Sequence, residues 1–162
     1  MSDDLLLTTD GSEYWTQTLT RDSLQLYWDS TDRWYRQFIM AILQPLEPAS
    51  VFDIGCGAGT TLRMVRDIWP TCDIAGCDIA PQAVSFAQDH LPGARILRGS
   101  ALDVLRMLPA RSYEVCLSVY MLAYISPEEF PAALAELRRV ASRYVVMAET
   151  MIFGDQVHGG II

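Results

Sequence analysis

A chain of 162 residues with 51% hydrophobic and 20% charged side chains has the size of one domain and the composition of a globular protein, not of a disordered one. Its formal charge of −8 sets 20 acids against 12 basic residues, all of them arginine, which excludes lysine chemistry such as a Schiff base or the lysine of an ATP-binding phosphate loop. The acidic balance also argues against nucleic acid, which is normally held by a basic stripe that displaces phosphate counterions.

In chain order, residues 1–13 are polar at both ends and read as a loose arm; Asp3 and Asp4 stand where an export signal would carry positive charge, so none is expected. From Tyr14 to about Leu43 the aromatic residues Trp15, Tyr27, Trp28, Trp34, Tyr35 and Phe38 predict two helices, interrupted at Asp29-Ser30-Thr31-Asp32, where Ser30 or Thr31 is positioned to cap the second. Pro45 and Pro48 end this region, giving an N-terminal arm and helical lid over 1–48 and an α/β core over 49–162, one structural domain overall.

The core alternates short apolar runs with amphipathic segments. Strands are predicted at 51–54, 72–78, 94–97, 113–119 and 144–148, and helices at 61–69, from Pro81 to Leu91, at 102–108 and from Ser126 onward. Pro81 suits a first helical position, and Ser126-Pro127-Glu128-Glu129 reads as a capping box opening a helix whose Phe130, Leu134, Leu137 and Val140 face the sheet. The uncharged stretch from Val115 to Ile125 is about half of the ~20 residues needed to span a bilayer, so it reads as a buried strand and its flank. Strands alternating with helices predict a doubly wound, mostly parallel sheet of the α/β class. The cysteines Cys56, Cys72, Cys77 and Cys116 form no C-x-x-C pair, and His90 and His158 are far apart, so no metal site is expected and the thiols read as buried, reduced hydrophobes of a cytoplasmic protein.

The chemistry concentrates in Asp53-Ile54-Gly55-Cys56-Gly57-Ala58-Gly59-Thr60, between the first strand and the first helix of the core. Three glycines at alternate positions let the backbone turn sharply and approach a ligand. A dinucleotide site would use G-x-G-x-x-G, which places a hydride-transfer cofactor second. Asp78 ends the second strand about twenty residues further on, where an acid can accept both hydroxyls of a ribose.

This stretch resembles the class I S-adenosylmethionine-dependent methyltransferases, whose first motif is an acidic residue followed by Gly-x-Gly-x-Gly; the resemblance runs from about Ala49 to Glu149. It implies a Rossmann-like fold and S-adenosylmethionine as cofactor. Gly55, Cys56, Gly57 and Gly59 would form the loop beneath it, Asp53 would help hold its methionine part, Asp78 with Ile79 its ribose, and Ser100 with Ala101 its adenine. Relatives commonly carry an acid where Ser100 stands. Ser118 and Tyr120 are placed at the carboxyl edge of the sheet, where open α/β folds bind ligands. The chain has no Asn-Pro-Pro-Tyr-like stretch, no Pro-Cys and no carboxylate just after the fourth strand, which disfavours adenine-amino, cytosine C5 and magnesium-dependent subclasses.

The family sheet usually adds an antiparallel hairpin after its fifth strand, and the short stretch after Glu149 hardly accommodates one, so the sheet reads as truncated there. The tail, with Gly154, Gly159 and Gly160, then forms one added strand, pairs with a neighbouring molecule in a homodimer, or marks a chain cut short. The expected activity is methyl transfer to a small-molecule acceptor, by alignment more than by acid–base work. Tyr120, Tyr124, Glu149 and His158 are the available general bases, none in a recognisable pair, so no catalytic residue is assigned. The competing reading is a non-catalytic methyltransferase-like module that acts through a partner.

Overall fold

A computed structural model describes the backbone of residues 11–153 and 156–161 and the side chains of residues 13–149. The predicted arm lies almost wholly outside the described residues. Three helices come first, α1 (Gly11–Thr18), α2 (Arg21–Asp29) and α3 (Trp34–Leu43). The core follows as β1 (Ser50–Ile54), α4 (Thr60–Ile68), β2 (Asp73–Asp78), α5 (Pro81–His90), β3 (Arg95–Arg98), α6 (Ala101–Met107) and β4 (Tyr113–Val119), then a short 3₁₀ turn (Leu122–Tyr124), α7 (Phe130–Val140), β5 (Ala141–Phe153) and β6 (Gln156–Ile161). No described helix is long and apolar enough to cross a membrane.

The sheet order is β3-β2-β1-β4-β5-β6, with β1 to β5 parallel and β6 antiparallel to β5. After β3 the chain crosses to the other side of β1, so a crevice opens between the carboxyl ends of β1 and β4, the place where doubly wound sheets bind ligands. Both faces of the sheet are covered. Val51, Val115 and Leu117 point toward α3, α4 and α5, while Phe52, Ile54 and Cys116 point toward α6 and α7. This alternation follows from the two-residue period of a strand. Phe52 is fully buried, and replacing a ring so enclosed by alanine typically costs ~3–5 kcal/mol. All four cysteines are buried and free, as the sequence reading expects.

The N-terminal region departs from the two predicted helices. Its first helix stops at Thr18 and a new one starts at Arg21, capped by Thr20, whose hydroxyl accepts from the Ser23 amide while the Ser23 hydroxyl accepts from the Thr20 amide, a reciprocal capping box. Neither Ser30 nor Thr31 caps α3: the residue before that helix is Arg33, without a side-chain cap, and the Ser30 hydroxyl instead donates back to the Tyr27 carbonyl at the end of α2. The helix expected from Ser126 begins at Phe130. Ser126 still accepts from the Glu129 amide, but the intervening residues form a turn, and Phe130 is exposed instead of facing the sheet, whereas Leu137 and Val140 are buried as expected.

The fifth strand is far longer than predicted, and the tail forms one added strand. From Ala148↔Ile161 to Phe153↔Gln156 it pairs with β5 inside the chain, so the edge that the sequence left open to a neighbouring molecule is occupied by β6. Removing residues 154–162 strips that cover and exposes a row of unpaired amides and carbonyls. The shortened protein is expected to sediment as larger species or to aggregate at concentrations where the intact chain does not. Unchanged sedimentation would show that the β5 edge needs no cover.

Candidate functional site

The turn from β1 into α4 takes left-handed backbone at Gly55 (φ +65°), Gly57 (φ +54°) and Gly59 (φ +80°). Each glycine has its own reason. A Cβ on Gly55 would lie 2.2 Å from Cγ of Met121, and one on Gly59 2.7 Å from Cδ1 of Leu91, so these two let other parts of the chain close in. A Cβ on Gly57 would meet no atom within 4 Å, because this residue borders open space. The turn is fastened to the end of β2. The Cys56 amide donates to the Cys77 carbonyl at 2.9 Å, and the Gly57 amide to Oδ2 of Asp78 at 2.9 Å. The other oxygen of Asp78 accepts from the Ala80 amide at 2.9 Å, which fixes the start of α5 by the same carboxylate.

Beneath this turn a cavity of about 470 Å³ lies at the carboxyl ends of the strands, within the roughly 300–1,000 Å³ typical of small-molecule pockets. Asp53, Gly55, Cys56, Gly57, Asp78, Ile79, Ser100 and Ala101 all line it. Two predicted members do not. Gly59 packs against α5 through Leu91, and Ser118 is completely buried on the α6 and α7 side, its hydroxyl donating to Oε1 of Glu149 at 2.5 Å. Ser118 shares the α6 and α7 face with Cys116, two residues before it, and the residue that reaches the cavity is Tyr120, which lies beyond the end of β4 with left-handed backbone (φ +53°), as also expected.

The candidate bases fare differently. Glu149 does not line the cavity; besides Ser118 it accepts from the amides of Met121 at 3.3 Å and Leu122 at 3.2 Å, so it clamps the segment after β4. Burial pushes its carboxyl upward and these donors oppose the shift. Tyr120 and Tyr124 line the cavity, and burial pushes both phenols upward. The side chain of His158 lies outside the described residues.

The N-terminal helices supply the remaining wall. Trp15, Tyr27, Tyr35 and Arg36 line the cavity. Trp15 meets Tyr124 edge to face at 5.2 Å and Tyr35 meets Tyr120 likewise at 4.8 Å, so two aromatic pairs join these helices to the segment after β4. The other two tryptophans of these helices serve elsewhere, Trp28 packing under the Arg63 guanidinium at 4.4 Å and Trp34 standing 59% exposed. Polar ties hold the helices down: Gln82 donates to the Thr16 carbonyl and Thr60 to the Tyr27 carbonyl, each at 2.8 Å.

Sequence reasoning missed Arg36. It is a buried guanidinium inside the apolar helix Trp34-Tyr35-Arg36-Gln37-Phe38-Ile39, and a charge in that setting is itself a signal. One of its nitrogens donates to the Ser30 carbonyl at 2.6 Å, while Nε makes no hydrogen bond among the described residues. Asp53 faces the same cavity with Oδ1 buried and likewise without a partner. Burial pushes the Asp53 carboxyl up to about 8, Arg36 draws it back, and Asp78 and Glu149 raise it further. The cavity thus holds two buried groups of opposite formal charge whose hydrogen-bonding capacity is unspent. Such groups are costly to leave unmet unless something else meets them.

Because the folded-state value for Asp53 lies above its ordinary value of 3.8, the protonated form favours folding; that contribution is complete below the ordinary value and is lost as pH rises toward 8. Urea unfolding at pH 5 and pH 8 is expected to show a larger loss of stability with rising pH for the native protein than for Asp53→Asn. Equal losses would mean that Asp53 is not held protonated.

Residues 51–143 match a family model described as a methyltransferase domain. The chain is 28% identical over 117 residues to a trans-aconitate 2-methyltransferase of Klebsiella pneumoniae, covering 71% of this chain and 45% of that protein. It is 35% identical over 106 residues to a 2-ketoarginine methyltransferase of Streptomyces arginensis, covering 61% of this chain and 30% of that protein. The chain therefore spans less than half the length of these relatives. Among solved structures, the plantazolicin methyltransferase BpumL, in complex with S-adenosylhomocysteine and a triazolic analogue, superposes with a TM-score of 0.64 at 19% identity, over 91% of this chain and 59% of that one. A methyltransferase from Archaeoglobus fulgidus gives 0.58 at 20% identity, over 71% and 53%. At such identities these two likenesses establish the fold.

Proposed function

Since the chain belongs to the class I S-adenosylmethionine-dependent methyltransferase family, we propose that it binds S-adenosylmethionine beneath the Gly55 to Gly59 turn and directs its methyl group to a small-molecule acceptor. The observation that carries the reading is the pair of unpartnered buried groups, Asp53 Oδ1 and Arg36 Nε, on one cavity with the glycine turn. The amino-acid end of S-adenosylmethionine bears an ammonium and a carboxylate, the complements of these two groups. Names of relatives support the acceptor class, since both trans-aconitate and 2-ketoarginine are small molecules.

Asp53 takes the ammonium and Arg36 the carboxylate. Open space at Gly57 admits the ligand close to the backbone. Asp78 already accepts one amide on each oxygen, and each oxygen keeps lone-pair capacity for a ribose hydroxyl, so one residue both shapes the turn and reads the sugar. Ser100 caps α6 by accepting from the Asp103 amide at 3.2 Å and donates to the Asp103 carboxylate at 2.8 Å; with Ala101 it forms the adenine wall. When bound, the cofactor supplies a methyl group activated on a sulfonium. The aromatic pairs from the N-terminal helices form the lid, exclude water and fix the acceptor, and alignment of this kind is worth up to ~7–11 kcal/mol in the best cases.

Calorimetry with S-adenosylmethionine, S-adenosylhomocysteine and NAD tests the reading. Binding of the first two without NAD is expected, and Asp78→Ala is expected to weaken it at least ~tenfold, since charge-assisted hydrogen bonds contribute ~1.5–3 kcal/mol each. Binding of NAD alone, or a loss below twofold in Asp78→Ala, would contradict it. Binding without transfer of labelled methyl to any acceptor would favour the non-catalytic module.

A further inference from the structure

We infer that Glu129, at the start of α7, accepts a hydrogen bond from the adenine amino group of the cofactor and makes the site selective for a 6-amino purine. The inference rests on the cofactor reading and deepens it: Ser100 and Ala101 form one wall against the base, and Glu129 supplies the acceptor that this wall lacks.

The edge of adenine carries an amino group, a hydrogen-bond donor, so a site that recognises the base needs an acceptor there. Ser100 stands where relatives commonly carry an acid, but its hydroxyl is occupied with its own helix. It donates its one proton to Oδ2 of Asp103 at 2.8 Å and accepts from the Asp103 amide at 3.2 Å, which is the work of a cap. Asp103 itself does not line the cavity.

Glu129 does line it, together with Ser100, Ala101 and Leu102. The topology brings the four to one end. Helix α6 leads into β4 and α7 runs from β4 to β5 on the same face of the parallel sheet, so both helices start at the carboxyl edge of the strands and run side by side. Their far ends are tied, since the Arg139 guanidinium donates to the Leu105 carbonyl at 2.7 Å. The nine residues of α7 before Arg139 rise ~13 Å and the four of α6 before Leu105 rise ~6 Å, so α7 starts no lower than the first turn of α6.

The backbone of Glu129 is fixed on both sides. Its amide donates to the Ser126 carbonyl at 3.0 Å, its carbonyl accepts from the Ala133 amide at 2.9 Å, and Pro127 and Pro131 restrict the chain around it. Its side chain, by contrast, makes no hydrogen bond or ion pair among the described residues. Being exposed, the carboxylate keeps its hydration and bears no burial cost. Glu129 therefore offers a positioned acceptor with unspent capacity beside the adenine wall.

The test titrates the whole chain by calorimetry with S-adenosylhomocysteine and with its 6-deamino analogue, in which hydrogen replaces the amino group. The native chain is expected to bind S-adenosylhomocysteine at least about tenfold more tightly than the analogue. In Glu129→Ala that preference should fall below about threefold, with the analogue binding as it does to the native chain, which reports that the variant folds. Glu129→Gln keeps an acceptor oxygen and should hold the preference above about threefold, and Glu128→Ala, at the neighbouring acid outside the cavity, should leave it whole. Equal binding of the two ligands by the native chain, or a preference that survives Glu129→Ala, would overturn the assignment while leaving the cofactor reading intact. Equal weakening of both ligands in Glu129→Ala would overturn it as well, since the residue would then act on the fold and not on the amino group. Failure of the native chain to bind S-adenosylhomocysteine would overturn both readings.

Discussion

The hydrogen bond from the Gly57 amide to the Asp78 carboxylate is the constraint on which the site depends. It joins the turn that leaves β1 to the end of β2, across two strands that the parallel register already holds side by side. Without it the glycine-rich turn would have too much freedom to present a defined surface, because glycine loses more backbone entropy on ordering than any other residue. The same carboxylate sets the first turn of α5 through Ala80, so the geometry of β2, the turn and the helix is decided by one side chain. Burial pushes that carboxyl upward and the backbone amides pull it back, which is the balance expected of an acid kept inside by its hydrogen bonds.

The sheet supplies a crevice, but only the N-terminal helices turn it into an enclosed site. Of these, α3 is anchored in the core by Ile39, Met40 and Leu43, whereas α1 and α2 are attached through the hydrogen bonds of Gln82 and Thr60, the packing of Leu24 and Trp28 near Phe86, and the pair of Trp15 with Tyr124. Loss of one aromatic pair would therefore open the cavity without disturbing the core between β1 and β4. On the far side, Glu149 does for the segment after β4 what Asp78 does for the glycine turn. Both walls of the crevice are thus held by carboxylates that accept backbone amides.

The α/β core was legible because its signals are local. Val51 to Ile54 and Tyr113 to Val119 are apolar runs bounded by turn residues, Pro81 marks a helix start, and the alternate glycines announce a close approach, so these elements could be placed to within a residue or two. Other features depended on partners distant in sequence. Nothing near Ser118 says which face of the sheet it will occupy; that follows from register. Within its own helix Arg36 meets only the Tyr35 ring, which does not mark a site, and its importance emerges when Asp53 arrives at the same cavity. The break at Leu19 was hidden because no proline or glycine marks it and because Ser23 replaces the glutamate usual in a capping box. Gly159 and Gly160, poor strand formers alone, become part of β6 because β5 offers them an edge.

The proposal that the turn from Gly55 to Gly59, Asp78 and the Ser100 segment together hold the cofactor is tested most directly by a backbone amide NMR titration of the native protein with S-adenosylhomocysteine. The largest shifts are expected on Gly57, Asp78 to Ala80, and Ser100 to Leu102, with β6 and the exposed face of α7 unmoved. Saturable binding whose shifts lie elsewhere, with the Gly57 and Asp78 amides unchanged, would contradict it.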